Sequence, residues 1–408
     1  MTRITIIGGG VVGLSCASAL LRAGHAVTVL EASSAREAAS WGNAGHIATE
    51  QVAPLASMRS VKSAWRRRFS AGGALDLPPR AIGAWLPFAL RFLAAARPAA
   101  FASGSEALRS LLAEALPAWQ RAPWATELLR TEGHLVVWED ARSAAAGKAG
   151  WAAADIGTAT LDDAAPQDIA RVRAISSASI AGAARFSGTG RVADLGLLAD
   201  ALERDVTAQG GAIGRASAML AIDKGLAQVP GHEADLVLIA AGVRSKPLVE
   251  AAGHRAPIIA ERGYHIRAAV QDWPIDVPIV FEDRSMIVTR YRDTVQAASF
   301  VELDTPDAPP DPRKWGRLER HVAELGLPMR PPFTRWMGAR PTLPDYLPAI
   351  GRSRRAGNLL YAFGHQHLGL TLAPITAELI TAIASEKTPK IDITPFDLDQ
   401  FGGKGGRK

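Results

Sequence analysis

The first thirty-one residues of the chain contain a pattern that few folds accommodate. An apolar run at 4–7 leads directly into glycines at G-x-G-x-x-G spacing, and a stretch with helical periodicity follows from Val12 to Arg22. The glycines of the pattern are Gly8, Gly10 and Gly13. In such a turn the first glycine permits a tight bend, the second lets the backbone approach a pyrophosphate, and the third lets helix and strand pack closely. The pattern predicts a strand–turn–helix unit whose helix N-terminus faces phosphate groups.

The residues after this helix complete the unit. Gly24 ends the helix, residues 26–30 form a second apolar strand, and Glu31 stands at the carboxyl end of that strand. An acid at this position accepts the hydroxyls of an adenosine ribose, and its charge repels a 2′-phosphate, so a phosphorylated nicotinamide cofactor is disfavoured. The predicted dinucleotide site consists of Gly8, Gly10, Val11, Val12, Gly13, Glu31 and Ala32. The motif alone leaves NAD and FAD both open.

The order of the remaining elements divides the chain between two domains. A chain of 408 residues is too long for one simple core. A second buried strand ending in glycine, residues 234–242, lies far along the chain from the first, and 264–303 alternate in the manner of antiparallel strands. We predict an α/β fold with a discontinuous Rossmann-like nucleotide-binding domain and a substrate domain that combines a mixed or antiparallel sheet with a helical cap. The predicted nucleotide-binding segments are 1–80, 185–256 and 336–400, the substrate-domain segments are 81–184 and 257–335, and 401–408 form a flexible tail.

Charge and cysteine content restrict the classes of partner. The net charge is +6, but the arginines are scattered, so the sequence indicates attraction of an anionic substrate and no nucleic-acid partner. Cys16 is the one cysteine, which excludes an internal disulfide and fits a reducing cytoplasm. The N-terminus lacks a signal-peptide pattern, and no run of 18 uncharged apolar residues is found. We therefore expect a cytoplasmic protein.

Two segments keep a membrane alternative open. Residues 65–69 read WRRRF, and residues 82–96 have an amphipathic pattern. A basic, aromatic helix can lie on an anionic bilayer. The favoured interpretation is a cap helix over the substrate domain with a solvated basic edge, and peripheral contact with the inner membrane face is the alternative.

Six motifs occur in one order along nearly the whole chain. They are IIGGGVVGLSCASALLRAGHAVTVLE at the start, SWGNAGHI at 40–47, VLIAAGVRS at 237–245, ERGYHI at 261–266, MGARPTLPDYLPAIG at 337–351 and AFGHQHLGLTLAP at 362–374. With these motifs the chain resembles the FAD-dependent amine and amino-acid oxidoreductases of the D-amino-acid oxidase fold, and among them the D-amino-acid dehydrogenase branch. The ERGYH and GHQHLGLTLAP segments are similar to those of bacterial D-hydroxyproline dehydrogenases. The resemblance implies a two-domain flavoprotein.

The resemblance also implies where FAD is held. The pyrophosphate would lie on the Gly8–Gly13 turn and the ribose on Glu31. Some relatives attach the flavin through a late cysteine, and no cysteine follows Cys16, so noncovalent binding is expected. Besides the first turn, the implied cofactor contacts are Ser40, Asn43, Ala44, Gly45 and His46 beside the ribityl chain and flavin ring, Ala241 and Gly242 near the adenine half, Gly338 and Arg340, and Gly364, His365, His367, Leu368, Gly369, Leu370 and Thr371 before and within the last helix.

Arg340 is the candidate for binding the substrate carboxylate. A planar guanidinium forms two parallel charge-assisted hydrogen bonds, which fix orientation as well as charge. In similar proteins the matching arginine has this role. The alternative is an arginine that only pairs with Asp345 or Glu282 at the surface.

Three further side chains are candidate active-site residues. Tyr264 and His265 would contact the substrate carboxylate or a ring hydroxyl, or would only close the pocket and pack. His367 would line the flavin or the substrate pocket. His365 and His367 also form a His-x-His pair, but no third ligand stands at recognisable spacing, so no metal is predicted.

The expected reaction is oxidation of a D-amino acid to the imine by hydride transfer to flavin N5. The best substrate on resemblance is cis-4-hydroxy-D-proline, followed by D-proline, and the electron acceptor would be a quinone or an electron-transfer protein. An oxidase of glycine, sarcosine or D-amino acids that uses oxygen is the first alternative. The second is a non-catalytic flavin subunit of a larger amine dehydrogenase complex. Further subunits or a homo-oligomer are open partners.

Overall fold

The structure is a computed structural model that describes residues 1–33, 35–270 and 272–402. The strands are β1 (Arg3–Ile7), β2 (Ala26–Glu31), β3 (His46–Ile47), β4 (Leu75–Asp76), β5 (Leu129–Arg130), β6 (His134–Trp138), β7 (Thr160–Asp163), β8 (Gly182–Ser187), β9 (Gly190–Val192), β10 (Ala212–Arg215), β11 (Ala221–Asp223), β12 (Leu226–Gln228), β13 (Leu236–Ile239), β14 (Ile259–Ala269), β15 (Ile279–Phe281), β16 (Met286–Arg290), β17 (Thr294–Asp304), β18 (Thr334–Thr342), β19 (Ala349–Arg352) and β20 (Leu359–Phe363). The α-helices are α1 (Val11–Arg22), α2 (Met58–Ser63), α3 (Ile82–Ala95), α4 (Pro98–Ala113), α5 (Ala115–Arg121), α6 (Ala141–Ala152), α7 (Pro166–Ile175), α8 (Leu195–Ala208), α9 (Ser245–Ala251), α10 (Pro312–Glu324) and α11 (Gly369–Ala384).

The first sheet has the order β10-β2-β1-β13-β20-β19 and is parallel except for β19. Its central strands carry unbroken runs of buried residues, as expected for strands covered on both faces. Ile4 lies opposite Leu236 and Ile7 opposite Ile239, so the two strand-to-glycine segments recognised in the sequence are neighbours. Helices α1, α8 and α11 pack together on this sheet. The predicted Rossmann-like architecture is confirmed.

The second sheet is mixed. Its order is β18-β14-β17-β16-β15-β6-β8-β7, and β4 pairs with β17. Most neighbours are antiparallel, whereas β15 runs parallel to β6 and β4 parallel to β17. Helix α10 packs on this sheet through Leu318 and Val322, which are fully buried or nearly so. The predicted mixed or antiparallel substrate sheet is present.

Strand pairing and helix packing cross the predicted segment ranges at three places. Strand β4 belongs to the second sheet although it lies within 1–80, and β18 is paired with β14 over its whole length, so the sheet continues beyond residue 335. Helices α4 and α5 pack with α11 in the core of the first sheet although they lie within 81–184. Trp119 fixes this contact because its indole N–H donates to the carbonyls of the last helix. The domain limits given by residue number remain predictions.

The C-terminal segment packs against the first sheet. Phe401 ends a 3₁₀ turn, Leu398–Phe401, and contacts the same core cluster as Leu359. The predicted flexible tail therefore does not begin at Phe401, and its residues 403–408 lie outside the described residues.

Within the described part of the chain, one helical stretch is long and apolar enough to cross a membrane. This stretch is Gln366–Ala384, and 72% of its most apolar 18 residues is buried inside the protein. Leu372 and Leu379 of α11 lie in the core against Leu14 and Leu20 of α1. This burial identifies α11 as a core helix.

Candidate active site

The turn between β1 and α1 is held in shape by its glycines. Gly8 has φ +116°, a conformation that favours glycine, and a Cβ there would lie 2.4 Å from the Ala240 carbonyl oxygen. A Cβ on Gly13 would lie 1.9 Å from the Gly8 carbonyl oxygen. Gly10 is the N-cap of α1, whose first-turn N–H groups lack intrahelical partners. The turn therefore presents a glycine cradle and a positive helix end, which suit a pyrophosphate.

Glu31 and the end of β13 close this turn. The backbone N–H groups of Gly9 and Ser33 donate to the Glu31 carboxylate at 2.6 and 2.9 Å. Ala32 follows Glu31 at the surface. Ala241 packs against Gly8 from the neighbouring strand end, since a Cβ on Gly8 would lie 2.7 Å from the Ala241 Cα. Gly242, with φ +56°, continues from there. The structure therefore brings together the predicted phosphate, ribose and adenine-side residues.

The segment 40–47 bridges the two sheets. Ser40 Oγ accepts from the Val11 N–H at 3.1 Å, which ties the segment to the start of α1 beside Val12. At the other end, the backbone carbonyls of Asn43 and Ala44 accept hydrogen bonds from side chains of the second sheet. These donors are Tyr291 and Gln296 to Asn43, and Thr289 to Ala44. Gly45 has φ +73°, and its N–H donates to Asn43 Oδ1.

The donors Thr289, Tyr291 and Gln296 were not anticipated from the sequence. They are polar residues within the alternating pattern of 264–303, where polar positions normally face solvent. In the structure Gln296 and Thr289 are buried and hold the segment 40–47.

The start of α11 packs against this segment. Thr371 Oγ1 accepts from the Ala48 N–H at 3.0 Å, and Gly364 takes φ +79° to turn the chain. His365 bonds Thr376 through Nε2, whereas His367 bonds the Gln51 side chain. The predicted residues Leu368, Gly369 and Leu370 lie between His367 and Thr371, and both leucines are buried.

Arg340 lies on β18 directly opposite Glu261 of β14. Its Nη1 donates to Glu261 Oε1 at 2.9 Å and to the Phe300 carbonyl at 3.3 Å. Its Nη2 lies over Gly263, where a Cβ would come within 2.1 Å. Phe300 has φ +76°, which is strained for a bulky residue and aims its carbonyl at the guanidinium. Among the described residues, Arg340 pairs with Glu261 and with neither Asp345 nor Glu282.

Glu261 is the buried anchor of this arginine. Its side chain is 1% exposed, and it also accepts hydrogen bonds from Thr342 Oγ1 at 3.1 Å and from the Tyr346 hydroxyl at 3.0 Å. The Arg340 side chain remains 26% exposed. The arrangement holds one edge of the guanidinium and leaves Arg340 within reach of a small ligand. Glu261 stands in the quoted ERGYHI motif, but its pairing depends on the strand register.

His265 and Tyr264 face opposite sides of β14. The His265 Nδ1–H donates to the Gly42 carbonyl at 3.1 Å, and its ring stacks on Trp336 at 5.1 Å between centroids. The same indole contacts Gly338 closely enough to exclude a Cβ. His265 and Gly338 therefore lie beside the segment 40–47.

Tyr264 lies in the core of the second sheet. Its hydroxyl donates to the Glu302 carboxylate and accepts from the Asp311 N–H at 3.1 Å. Burial and Glu302 raise the pKa of this phenol. Both hydrogen bonds are internal, so packing, the alternative given for Tyr264, describes its placement best.

Two imidazoles and a carboxylate meet at the end of the segment 40–47. His46 Nε2 lies 3.3 Å from Glu50 Oε1, and the His46 ring contacts His134 edge-on at 4.5 Å. The ligand atoms of this trio lie within 4.8 Å of one another, which is compact enough for a metal ion. The prediction of no metal, made from the His365 and His367 spacing, stays a prediction. No sequence pattern pointed to His134, which lies on β6 of the second sheet.

Burial keeps several histidines near the site neutral. It lowers the pKa of His134, His265 and His365 to about 3, aided by Arg267 at His265, and the pKa of His367 to about 4. Charges on Arg340, Glu261, Glu50 and His46 also influence the His367 pKa, so these groups converge around that ring. At neutral pH Arg340 is then the cation that a carboxylate would meet.

The lowered pKa values of these histidines predict that acid destabilises the folded protein. An unfolded histidine has a pKa of about 6.5, so between that value and about 3 the unfolded chain binds protons that the folded chain does not. The free energy of unfolding should be highest above about pH 6.5, where these histidines are neutral in both states. It should fall as the pH drops below that value, by up to about 1.4 kcal/mol per pH unit for each such histidine. Urea midpoints between neutral and acidic pH measure this slope. His365→Gln should flatten it, and a slope unchanged by that substitution would exclude His365 as a contributor.

Gly13→Ala should disrupt FAD binding. The new Cβ would meet the Gly8 carbonyl oxygen and force α1 away from β1, and such overpacking costs about 1–3 kcal/mol. We expect at least about a tenfold weaker FAD affinity, measured by flavin absorption after dialysis. Gly150→Ala on α6 is the matched control, because a Cβ there meets open space. Equal flavin content in both variants would contradict the assignment of the turn.

A cavity of about 470 Å³ lies behind the Tyr346 loop. It is lined by Arg91, Ala94 and Ala95 of α3, by Gly104 of α4 and by Asp345, among others. Burial raises the pKa of Asp345 to about 7. The cavity lining does not include the predicted flavin contacts, so it is a separate feature.

Comparison with known proteins agrees with this geometry. The family model "FAD dependent oxidoreductase" matches residues 3–383. The chain is 30% identical to a D-amino-acid oxidase of Bradyrhizobium diazoefficiens, covering 98% of this chain and 99% of the relative. It is 28% identical to a D-amino acid dehydrogenase of Cereibacter sphaeroides, covering 99% and 97%.

Solved structures share the fold. Glycine oxidase from Geobacillus kaustophilus superposes with a TM-score of 0.70 at 19% identity, covering 98% of this chain and 99% of that one. L-proline dehydrogenase from P. horikoshii gives 0.72 at 16% identity, covering 98% and 97%. The glycine cradle, the acid on β2 and the converging segments 40–47 and 364–371 fit FAD. The chain belongs to the family of FAD-dependent oxidoreductases that includes the D-amino acid oxidases and dehydrogenases.

Proposed function

We propose that this protein is a D-amino-acid dehydrogenase, with cis-4-hydroxy-D-proline as its best substrate and D-proline as a weaker one. The observation that carries the proposal is Arg340, held by buried Glu261 and partly open to a ligand. The ERGYH and GHQHLGLTLAP segments support the cyclic substrate. Tyr264 adds no support, because its hydroxyl donates to Glu302 inside the protein.

In this proposal the protein positions the substrate through Arg340. The guanidinium edge not bonded to Glu261 binds the substrate carboxylate through charge-assisted hydrogen bonds. Glu261 acts through Arg340 by fixing its orientation. FAD, when bound, supplies the two-electron oxidant that turns the amine into an imine.

His367 is the residue proposed to meet a ring hydroxyl. Its lowered pKa keeps the ring neutral, and its Nε2 is engaged by Gln51. A neutral ring that donates from Nε2 keeps Nδ1 as an acceptor, which suits a substrate hydroxyl. A site built to bond a hydroxyl discriminates against the analogue that lacks it.

Noncovalent FAD is part of the proposal. Acid or heat should release FAD from the yellow protein into solution, because no cysteine follows Cys16. The flavin released into the supernatant is identified by chromatography. FMN in the supernatant, or flavin that stays with the precipitate, would contradict noncovalent FAD.

The acceptor is proposed to be a quinone or an electron-transfer protein. The relative in Bradyrhizobium diazoefficiens is named an oxidase, which favours oxygen as the second candidate. A non-catalytic subunit is disfavoured by the retained Arg340. Turnover with an acceptor dye should exceed turnover with oxygen, and comparable peroxide production in air would assign an oxidase.

Anaerobic flavin bleaching tests the substrate. The holoenzyme is mixed with cis-4-hydroxy-D-proline, D-proline, D-alanine, the L-enantiomers and N-methyl amino acids, and the reduction rate of the flavin is measured. We expect the hydroxyproline to be fastest and the L-enantiomers inactive. Faster reduction by D-alanine would overturn the cyclic substrate and leave the broader D-amino-acid activity. No reduction by any amine would overturn the enzymatic function.

A further inference from the structure

A chain of hydrogen bonds links the His367 ring to a buried carboxylate. His367 Nε2 bonds Gln51 Oε1, and Gln51 Nε2 donates to Glu50 Oε1 at 3.3 Å. The same Glu50 oxygen lies 3.3 Å from His46 Nε2, and the Glu50 side chain is only 3% exposed. Glu50, Gln51 and His367 therefore form a continuous path from a carboxylate inside the protein to the ring at the proposed substrate site.

The charge of Glu50 decides which way the Gln51 amide points. Burial acts to raise the pKa of Glu50, but His46 outweighs burial and lowers the pKa to about 2. At neutral pH the carboxylate is therefore ionised and can only accept hydrogen bonds. The two ends of an amide are alike in shape but opposite in hydrogen bonding, since the nitrogen donates and the oxygen accepts. Gln51 consequently turns its nitrogen toward Glu50 and its oxygen toward His367.

The amide orientation in turn fixes the tautomer of His367. The Gln51 oxygen can only accept, so the ring nitrogen that faces it, Nε2, carries the proton. Burial lowers the pKa of His367 to about 4, so the ring is neutral and holds one proton. Nδ1 is then unprotonated, and no hydrogen bond to it is found among the described residues.

The His367 ring lies where a bound substrate would meet it. The charges of Arg340 and Glu261 both act on the His367 pKa, which places the ring beside the guanidinium proposed to bind the substrate carboxylate. The residue is also incompletely buried, unlike its neighbours Gln366 and Leu368. A small molecule held on Arg340 would therefore lie against a ring that presents an acceptor.

We infer that Glu50 is a positioning residue that acts through Gln51 to hold the His367 proton on Nε2, so that the site selects substrates with a hydrogen-bond donor facing Nδ1. A hydroxyl on the substrate ring can donate to Nδ1, whereas a fluorine or an ether oxygen at the same carbon would set two acceptors against each other. The selection of substrates rests on the proposed function. The tautomer does not depend on it.

Nuclear magnetic resonance of the holoenzyme, with its histidines labelled with ¹⁵N, measures the tautomer directly. Two-bond proton–nitrogen correlations show which ring nitrogen is protonated, and His367→Gln identifies the His367 signals by their loss. We expect the proton on Nε2 in the wild type. Glu50→Gln should allow the Gln51 amide to flip and the Nδ1-protonated form to appear. Gln51→Lys puts a donor in place of the acceptor and should move the proton to Nδ1.

Two results of this measurement would contradict the role of Glu50. One is a proton on Nδ1 in the wild type, and the other is a wild-type tautomer in either variant. The flavin spectrum of each variant reports whether it is folded with FAD bound. Since the wild-type tautomer is itself a test, a variant that fails to fold leaves the inference falsifiable.

Anaerobic flavin reduction tests the selection of substrates. The reduction rates with cis-4-hydroxy-D-proline and cis-4-fluoro-D-proline are measured for each variant, and their ratio is compared between variants. Because the electronic effect of fluorine on the amine is the same throughout, a change in the ratio reports the contact with the hydroxyl. We expect the ratio to be at least about tenfold higher in the wild type than in Gln51→Lys.

A glutamine at the end of α8 provides the matched control. Gln209 Nε2 donates to Asp205, so Gln209→Lys makes the same substitution elsewhere and should keep the wild-type ratio. Equal ratios in the wild type and Gln51→Lys, with the tautomer reversed, would overturn the selection by His367. If no amine reduces the flavin, the proposed function fails, and the resonance measurement still decides the role of Glu50.

Discussion

Replacing Arg340 by lysine is expected to lower kcat/KM for the amino-acid substrate by about 30-fold or more, mainly through KM, while FAD stays bound. Lysine keeps the charge but replaces a planar fork with a point charge, so one carboxylate hydrogen bond and the fixed orientation are lost. Truncating one partner of a buried, hydrogen-bonded charge pair costs about 2–5 kcal/mol, and about 1.4 kcal/mol corresponds to a factor of ten. Steady-state kinetics measure the change in kcat and KM, and the flavin content of the purified variant shows whether FAD stays bound.

A second arginine on the same strand provides the control. Arg335 is half-exposed and pairs with Glu319, so Arg335→Lys should leave the kinetics unchanged. Glu261→Gln tests the positioning role, since it keeps the shape of the anchor but removes its charge. It should raise KM more than it lowers kcat. Wild-type kinetics in Arg340→Lys would remove Arg340 from the site.

Much of the fold could be predicted because its signals are local. The run at 4–7, the glycine turn and the strand near 237 carry their pattern in a few residues, and the structure places β1 and β13 in the same sheet. The division between the domains depends on distant contacts. Nothing local in α4 or α5 shows that they pack on α11, and β18 joins the second sheet through its ladder with β14.

Parts of the site could be predicted for the same reason, and others could not. Strand alternation alone places Tyr264 and His265 on opposite faces of the sheet, so only one of the two side chains can face the site. His265 reaches Gly42, whereas Tyr264 turns into the core. Glu50 and His134 are far apart in the sequence and meet only in the folded chain, so no spacing in the sequence reports this contact.

Lys314→Met is expected to destabilise the protein by about 3–5 kcal/mol, because it removes one partner of a buried ion network. Lys314 has no exposed side-chain surface, and its Nζ lies 2.7 Å from Asp76, 3.1 Å from Asp311 and 3.5 Å from Glu302. The first acid is on β4, the second precedes α10, and Glu302 is on β17. The lysine therefore neutralises acids from three elements, and methionine would leave them close together with less compensation.

The neighbouring residue on α10 separates this effect from a simple loss of charge. The Arg313 side chain is 71% exposed, so Arg313→Met removes the same charge at the surface, where an ion pair contributes about 0–1 kcal/mol. Urea unfolding followed by tryptophan fluorescence compares the two variants, and Lys314→Met should show the much lower midpoint. Equal midpoints would mean that water already compensates the acids. The network would then hold α10 and β4 in place without contributing to stability.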